Sequence, residues 1–519
     1  MKDEIRNLIS EKGFLIEKSI FDVLERVDNI SVIGSFLETL ERVSGSKMIS
    51  SASLSKNVEV VKKIVKDLPG EEKESVEKVF VKLGMNLEIR KEKEVRKKEF
   101  VDNIEDMKKS YKIINNLTGE GKKLDVGDFI GHFRARYQQL QKILMQRQGL
   151  KNLISIDKLS RNRQSVTIIG IVVEKRVTKN KNLIVRFEDL TGEVSALVSS
   201  RNETFFKVSE LQLDDVVAVK ASGSSDLLFI QDIIYPDAVL LEKKKFDNEE
   251  CIAFLSDVHV GSRKHLGKEF ESFLEWLNSG DELAKKIKYI FFVGDNVDGV
   301  SVFPGQEKTL EIISLKDQYN LLASYLKRIP KNVQMFMCAG QHDSVRVAEP
   351  QPMIDRHYGE ALYDLDNLEL VTNPAMVKII EGDKEFKVLM YHGASIHSFI
   401  NEIDDLRLMK AHNYPAKVVR HMLKRRHLAP SHSSVVYVPN AESDMLVISE
   451  VPDVLCTGEV HKVDIETYNG ILIITGSCWQ EHTDFEEKVG NLTDPCKVPI
   501  LNLKTREIKV LNFSQGVEI

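Results

Sequence analysis

Five times between residues 251 and 461 an apolar run stops abruptly on a residue that can bind metal. CIAFL leads into Ser256, Asp257, Val258 and His259. YIFFV leads into Gly294, Asp295 and Asn296, and VQMFMCA into Gly340, Gln341, His342 and Asp343. VLMY leads into His392 and Gly393, and DVLCT into Gly458, Glu459, Val460 and His461. Short apolar runs read as buried strands, and the stretches between them read as helices, an α/β pattern. Lys268–Asn278 places Phe270, Phe273, Leu274 and Leu277 on one face and predicts a crossover helix. In such a fold the strand ends share a rim, and the loops there converge on one site. One DxH or GD behind a strand is usually a turn or cap. Five in a row constrain the chain to bring their side chains together.

Carboxylate, imidazole and amide donors in one place suit two hard-to-borderline divalent ions. Two ions about 3.5–4 Å apart can share a bridging carboxylate, activate a water and clamp a phosphate. Histidine usage agrees, since 12 of 13 histidines follow residue 250. Cysteine does not compete as a ligand. There are five, with no CxxC, which argues against a disulfide framework or a zinc ribbon. Cys251, Cys338 and Cys456 sit in apolar runs as small hydrophobes.

The 519 residues exceed one compact core and predict several domains. Residues 1–70 read as a small helical domain, from Ile20, Leu24 and Val27 and from Phe36, Leu37, Leu40 and Val43 at helical spacing. Residues 71–150 read as a charged linker, including EIRKEKEVRKKEF, followed by a helix. Residues 151–245 hold several β-branched runs and predict a small barrel, with the five-stranded OB fold as a candidate. Phe187, Phe205, Phe206 and Phe229 are its few aromatics, and a partner-binding barrel is favoured over one that stacks bases. Residues 246–519 form the α/β domain. The expected class is therefore multidomain α+β.

The net charge is −6, from 73 basic and 79 acidic residues. That excludes a protein that coats nucleic acid by overall charge, so binding it needs a local patch or a metal-gripped phosphate. KVVRHMLKRRH is the clearest patch, and Lys417, Arg420, Lys424, Arg425 and Arg426 are the candidate phosphate contacts. No apolar run reaches the roughly 20 residues of a membrane span, and the first residues lack a signal core. An intracellular, cytoplasmic protein is expected.

SDVH, GDNVDG, GQHD, YHG and GEVH resemble the five motifs of calcineurin-like metallophosphoesterases, usually DxH, GD, GNHD, H and GHxH. FIGHFRARYQQLQKIL, LMKAHNYPAKVVRHMLKRRHLAP, ISEVPDVLCTGEVH and GSCWQEHTDFEEKVG are similar to the small subunit of archaeal D-family DNA polymerase, over roughly residues 125–515. The resemblance implies a phosphoesterase β-sandwich flanked by helices behind an OB domain, and a 3′-to-5′ proofreading exonuclease. It also implies a large catalytic polymerase subunit as partner, in a heterodimer or heterotetramer, with primer-template DNA and single-stranded 3′ ends as substrates and a sliding clamp as a further contact. One metal would sit on Asp257, His259, Asp295 and His461, the other on Asp295, Gln341, His392 and Glu459, with Mn²⁺ favoured over Mg²⁺, Fe²⁺ or Zn²⁺. His342 would protonate the leaving oxygen, Asp343 would orient His342, and Arg346 would hold a phosphate. Gln341 and Glu459 depart from the usual Asn and His, and both fall on the second metal. Because the other ligands remain, a retuned and active site is expected over a decayed one. Trp479 is expected to pack the motif loops. His397, His412, His432 and His482 match no motif.

Overall fold

The computed structural model describes residues 2–17, 21, 33–34, 37, 47–49, 110–115 and 123–514. Two compact units divide the chain, Met1–Asp106 and Met107–Ile519. In the first, a helix spans Lys2–Glu11, and the two-residue strands β1 (Leu15–Ile16) and β2 (Met48–Ile49) pair in parallel. The expected all-helical start therefore also contains a parallel strand pair. The Lys/Glu-rich stretch from Glu88 lies outside the described residues, as does most of the helical spacing between Ile20 and Val43.

The second unit opens with β3 (Tyr111–Asn115). The sequence predicts linker here, but the YKIIN run pairs antiparallel with Ala375–Glu381. Tyr111 and Ile113 pack against the core between the two sheets, and the paired strand lies more than 250 residues later in the chain, so the strand exists only through a distant partner. A helix over Val126–Met145 follows, started by a capping box between Asp125 and Asp128. Its Tyr137, Leu140 and Leu144 are buried against the next domain.

That domain is a closed barrel of β4 (Gln164–Val177), β5 (Leu183–Glu188), β6 (Glu193–Val198), β7 (Val216–Gly223) and β8 (Leu228–Ile234), in the order β4-β5-β6-β8-β7. β7 closes on β4 along eight register pairs, and β6 runs parallel to β8. Closure removes the exposed edges that so short a sheet would otherwise present. Phe187 is fully buried in the barrel core, whereas Phe206 and Phe229 are exposed.

Two six-stranded sheets build the remainder. The first comprises β9 (Cys251–Leu255), β10 (Ile287–Val293), β11 (Gln334–Cys338), β12 (Leu368–Leu370), β18 (Lys497–Asn502) and β19 (Ile508–Asn512), in the order β12-β11-β10-β9-β18-β19. The second joins β3 to β13 (Ala375–Glu381), β14 (Lys384–Met390), β15 (Val454–Thr457), β16 (Asp464–Tyr468) and β17 (Ile471–Thr475), in the order β16-β17-β15-β14-β13-β3. Phe254, Phe291 and Phe336 from the first sheet meet Val377, Val388 and Ile474 from the second in one shared core. Helices cover both outer faces. Phe270, Phe273, Leu274 and Leu277 of the Gly267–Asn278 helix bury against the first sheet, as their spacing requires. Val418, Val419, Met422 and Leu423 of the Pro415–Arg425 helix bury against the second. Truncating a fully buried aromatic such as Phe273 would cost about 3–5 kcal/mol. β9, β10 and β11 are parallel neighbours, as are β14 and β15, so the predicted ligands leave the carboxyl ends of adjacent strands.

Candidate metal centre

Left-handed turns bring the candidate ligands inward. Asp257, His259, Asp295, Glu459 and His461 all have left-handed backbones, with φ between 48° and 71°. Non-glycine residues reach that region at a cost of about 1–2 kcal/mol each, and such strain persists where the surroundings enforce it. Glycines make the crowding tolerable. A Cβ on Gly340 would lie 2.2 Å from Asp295 Oδ1, and one on Gly458 2.6 Å from Asp257 Oδ2.

The donor atoms form overlapping groups. Asp257, His259 and His461 each bring one donor atom within 4.8 Å of the others, as do Asp257, Asp295 and His392. Asp295 is 3.3 Å from His392 Nε2 and 4.0 Å from His259 Nε2, as a bridging position requires. Glu459 Oε2 lies 3.2 Å from His392 Nε2 and accepts a 2.8 Å hydrogen bond from Gln341 Nε2. All seven predicted ligands thus converge, and every one is buried or half-buried.

Their imidazoles are held from behind. His259 Nδ1 is 3.0 Å from Asp298 Oδ1, His461 Nδ1 is 2.5 Å from Glu486 Oε1, and His392 Nδ1 is 2.8 Å from the Val293 carbonyl. These acceptors place the Nδ1 protons, leaving Nε2 to face the site. His259 Nε2 and His461 Nε2 then face each other at 3.2 Å. An ion placed between them would be ligated by both. Asp257 Oδ2, His392 Nε2 and Gln341 Oε1 are buried and make no hydrogen bond. Orphaned polar atoms of this kind carry a desolvation cost in a dry interior. Divalent ions would satisfy all of them, so the residues present fit the two-ion set.

The electrostatics are those of a strongly coupled cluster. Burial raises the Asp295 carboxyl, but His392, His342 and His259 hold it well below the usual carboxylate range. Burial likewise opposes ionisation of Glu459, and His392 and His397 overcome it. Burial lowers His392, while Asp295 and Glu459 lift it well above the ordinary imidazole value.

His342 enters the same pocket, its ring 4.9 Å from that of His259. The structure corrects its expected orienter. His342 Nδ1 bonds the Asp298 carbonyl at 2.8 Å, and its backbone N–H donates to Asp295. Asp343 turns the other way. It accepts from Asn296, the Gly340 N–H and Tyr319 Oη, tying the second motif loop to the third. Arg346 is also corrected. Its guanidinium bonds the carbonyls of Ala348 and Pro350 in its own loop, which occupies the fork that a phosphate would need. Trp479 is fully buried, packs edge-on against Phe270, and donates from its backbone to the Asp257 carbonyl, as expected.

Three of the five candidate phosphate contacts lie elsewhere than predicted. Arg425 is buried and ion-paired with Asp215 of the barrel at 3.0 Å. Arg426 is buried, caps the helix end, and donates to the carbonyls of Ile448 and Ser449. Lys424 pairs with Glu210 and sits over the Tyr235 ring. A helix that must dock on the barrel turns its cations toward the barrel's acids. Lys417 and Arg420 are exposed, Arg420 lying 3.5 Å from Glu466.

Sequence reasoning missed Asp298, Glu486 and Asn373. Asp298 stands in the quoted GDNVDG, where a second acid was a readable signal. Glu486 closes a capping box with Thr483, also readable as T-x-x-E. Asn373 Oδ1 accepts from the His392 N–H, and nothing local announces it.

Two packed sheets whose strand ends gather carboxylates and imidazoles follow the motif order of calcineurin-like metallophosphoesterases, which the body of this chain resembles. The family of B-type subunits of DNA polymerases alpha and epsilon matches residues 252–464. The DNA polymerase II small subunit of Methanothermobacter thermautotrophicus is 36% identical over 398 residues, covering 75% of this chain and 80% of that protein. That of Pyrococcus furiosus is 35% identical over 413 residues, covering 77% and 66%. The chain thus spans about two thirds of the Pyrococcus relative's length. An archaeal phosphodiesterase of known structure aligns with 50% of the chain at 14% identity and a TM-score of 0.25, a likeness too slight to carry the fold. The chain belongs to the DNA polymerase II small subunit family.

Proposed function

We propose that this chain is the nuclease-bearing small subunit of a two-subunit archaeal DNA polymerase, removing mismatched nucleotides from 3′ ends by metal-dependent phosphodiester hydrolysis. One observation carries this reading: seven side chains from five strand ends meet, five of them on left-handed backbones, and leave buried ligand atoms without a hydrogen bond.

Asp257, His259, Asp295 and His461 would hold one divalent ion, and Asp295, Gln341, His392 and Glu459 the other. When bound, the ions supply Lewis acidity and an activated water. The chain's own groups do the rest. Asp298 and Glu486 fix the tautomers of His259 and His461. His342, anchored at Nδ1, turns Nε2 toward the pocket and protonates the leaving 3′ oxygen. Asp343 and Asn296 hold the two loops in register, so that His342 and Asp295 keep their spacing. The anionic Glu459 favours hard ions, Mn²⁺ first, over Zn²⁺.

The barrel is read as an OB-type module that, with the phosphoesterase body, holds a large catalytic subunit. Primer-template DNA, single-stranded 3′ ends and a sliding clamp are the further proposed partners, and the cytoplasm the proposed location. Among the described residues no helix is long and apolar enough to cross a membrane.

The test is degradation of a 3′-mismatched primer by the full chain in Mn²⁺ or Mg²⁺, alone and with the large subunit, beside Asp295→Ala. Mismatch removal that vanishes in the variant supports the proposal. A complex that synthesises DNA without removing mismatches in either metal would assign the chain a scaffold role.

A further inference from the structure

The two ligands that depart from the family pattern touch one another. Gln341 and Glu459 lie 118 positions apart in the chain, yet Gln341 Nε2 donates to Glu459 Oε2 at 2.8 Å. A carboxylate only accepts, so the amide nitrogen must be the atom facing it. That fixes the amide's orientation and turns Oε1, buried and unpartnered, away from Glu459. The other carboxylate oxygen, Glu459 Oε1, lies 3.5 Å from His397 Nε2. His397 stands in the first turn of the Ile396–Glu402 helix, directly behind the Gly393 turn that follows His392. Glu459 is itself left-handed, with φ 71°, so its side chain leaves the backbone in a direction that a regular turn would not give.

Each interaction answers a need created by the other substitution. An anionic residue at 459 brings a second oxygen that must be satisfied in a buried site. Gln341 donates to one of its oxygens, and His397 Nε2 lies 3.5 Å from the other. An amide at 341 has to present its oxygen and not its nitrogen, and Glu459 enforces that. Asparagine at 341 would be one methylene too short to keep the hydrogen bond. Histidine at 459 would remove the carboxylate that orients the amide.

We propose that Gln341, Glu459 and His397 form one interdependent unit that rebuilds the second ion's half of the site from oxygen donors. Gln341 and Glu459 are the ligands, and His397 is a positioning residue that holds Glu459. This inference rests on the two-ion reading above.

Ion counting tests it without reference to activity. Full-length chain, stripped with chelator, is titrated with Mn²⁺, and bound metal is measured by equilibrium dialysis and elemental analysis. Wild type binds two ions. Gln341→Asn and Glu459→His alone each keep the first ion and weaken the second at least about tenfold, and the double variant recovers it. His397→Ala weakens the second ion by about 10–100-fold, the usual loss for a group that orients a ligand. His397→Gln, which retains a donor, restores most of it. Retention of the first ion shows in each case that the variant is folded. If both single variants bind two ions as tightly as wild type, the unit does not exist. If His397→Gln binds as weakly as His397→Ala, His397 does not act by donating to Glu459. If wild type binds fewer than two ions, the two-ion reading itself falls, a result distinct from failure of the coupling.

Discussion

Two buried clusters in this protein use the same residue types to opposite ends. Around Asp295, carboxylates and imidazoles converge and leave Asp257 Oδ2, His392 Nε2 and Gln341 Oε1 without a hydrogen bond. Around Asp444, where the Val126–Met145 helix meets the body, every atom is used. Arg136 Nε pairs with Asp444 Oδ2 at 2.6 Å, His427 Nε2 lies 2.8 Å from the same oxygen, and His132 Nε2 3.3 Å away. The second Asp444 oxygen accepts the Leu446 N–H. Burial and Arg136 push His427 down to about 4, while Arg136 and the histidines overcome burial to hold Asp444 well below the carboxylate range. One guanidinium–carboxylate pair is therefore charged there, with neutral imidazoles around it. The Asp444 cluster is saturated by its own groups, whereas the Asp295 cluster leaves buried polar atoms without hydrogen bonds, as the proposed metal site would.

The strongest way to break this comparison is to remove the central aspartate from each cluster. Asp444→Ala strands Arg136 in a dry interior and should cost about 3–5 kcal/mol of unfolding free energy. Asp295→Ala removes one acid from a site crowded with them. It should leave the thermal midpoint of metal-free protein close to wild type while lowering hydrolysis by about 10²–10³-fold or more. Thermal melts and a single-turnover assay on both variants decide the matter. If Asp295→Ala unfolds metal-free protein as severely as Asp444→Ala, the site is structural.

Acidification sharpens the contrast. His427 titrates near 4 when folded and near 6.5 when free, so between those values the unfolded chain binds more protons. Stability contributed by this group is thus fully present above about pH 6.5 and is lost as the pH falls toward 4. Asp444, depressed in the folded state, adds to the loss at lower pH. His427→Gln should flatten the stability profile between pH 4 and 6.5, measured by denaturant midpoints. An unchanged profile would mean that another group governs it.

The two clusters also differ in how far the sequence reveals them. The seven candidate ligands are legible because each follows its strand directly, and strand order brings them to one rim. The Asp444 cluster is not, since Arg136 and Asp444 are 308 positions apart and no local pattern links them. Neighbourhood in sequence misleads at Asp343. It stands next to His342, but the turn sends its carboxylate to Asn296 and Tyr319 instead. Burial decides the basic helix in the same way. KVVRHMLKRRH reads as one patch, yet Arg425 finds Asp215 across 210 positions and is lost to solvent. The barrel and the helix Gly267–Asn278 follow local periodicity, and β3 does not, because a five-residue edge strand has no signal apart from its partner.

That division of the basic helix gives the smallest expected effect and the finest test of the contrast between saturated and available charge. Lys417 and Arg420 are exposed, whereas Arg425 is buried against Asp215. If charge must be unsaturated to meet a ligand, only the first two can reach DNA. Replacing Lys417 and Arg420 with Ala should lower the slope of log binding constant against log salt by about 0.7 for each phosphate no longer neutralised on single-stranded DNA. Arg425→Ala should leave that slope as in wild type and instead lower stability, because Asp215 is left buried without its partner. The comparison is made by titrating a fluorescent oligonucleotide at several salt concentrations, with melts run alongside. A slope that falls for Arg425→Ala and holds for Lys417 and Arg420 would reverse the assignment and show that burial in this fold does not separate binding charge from structural charge.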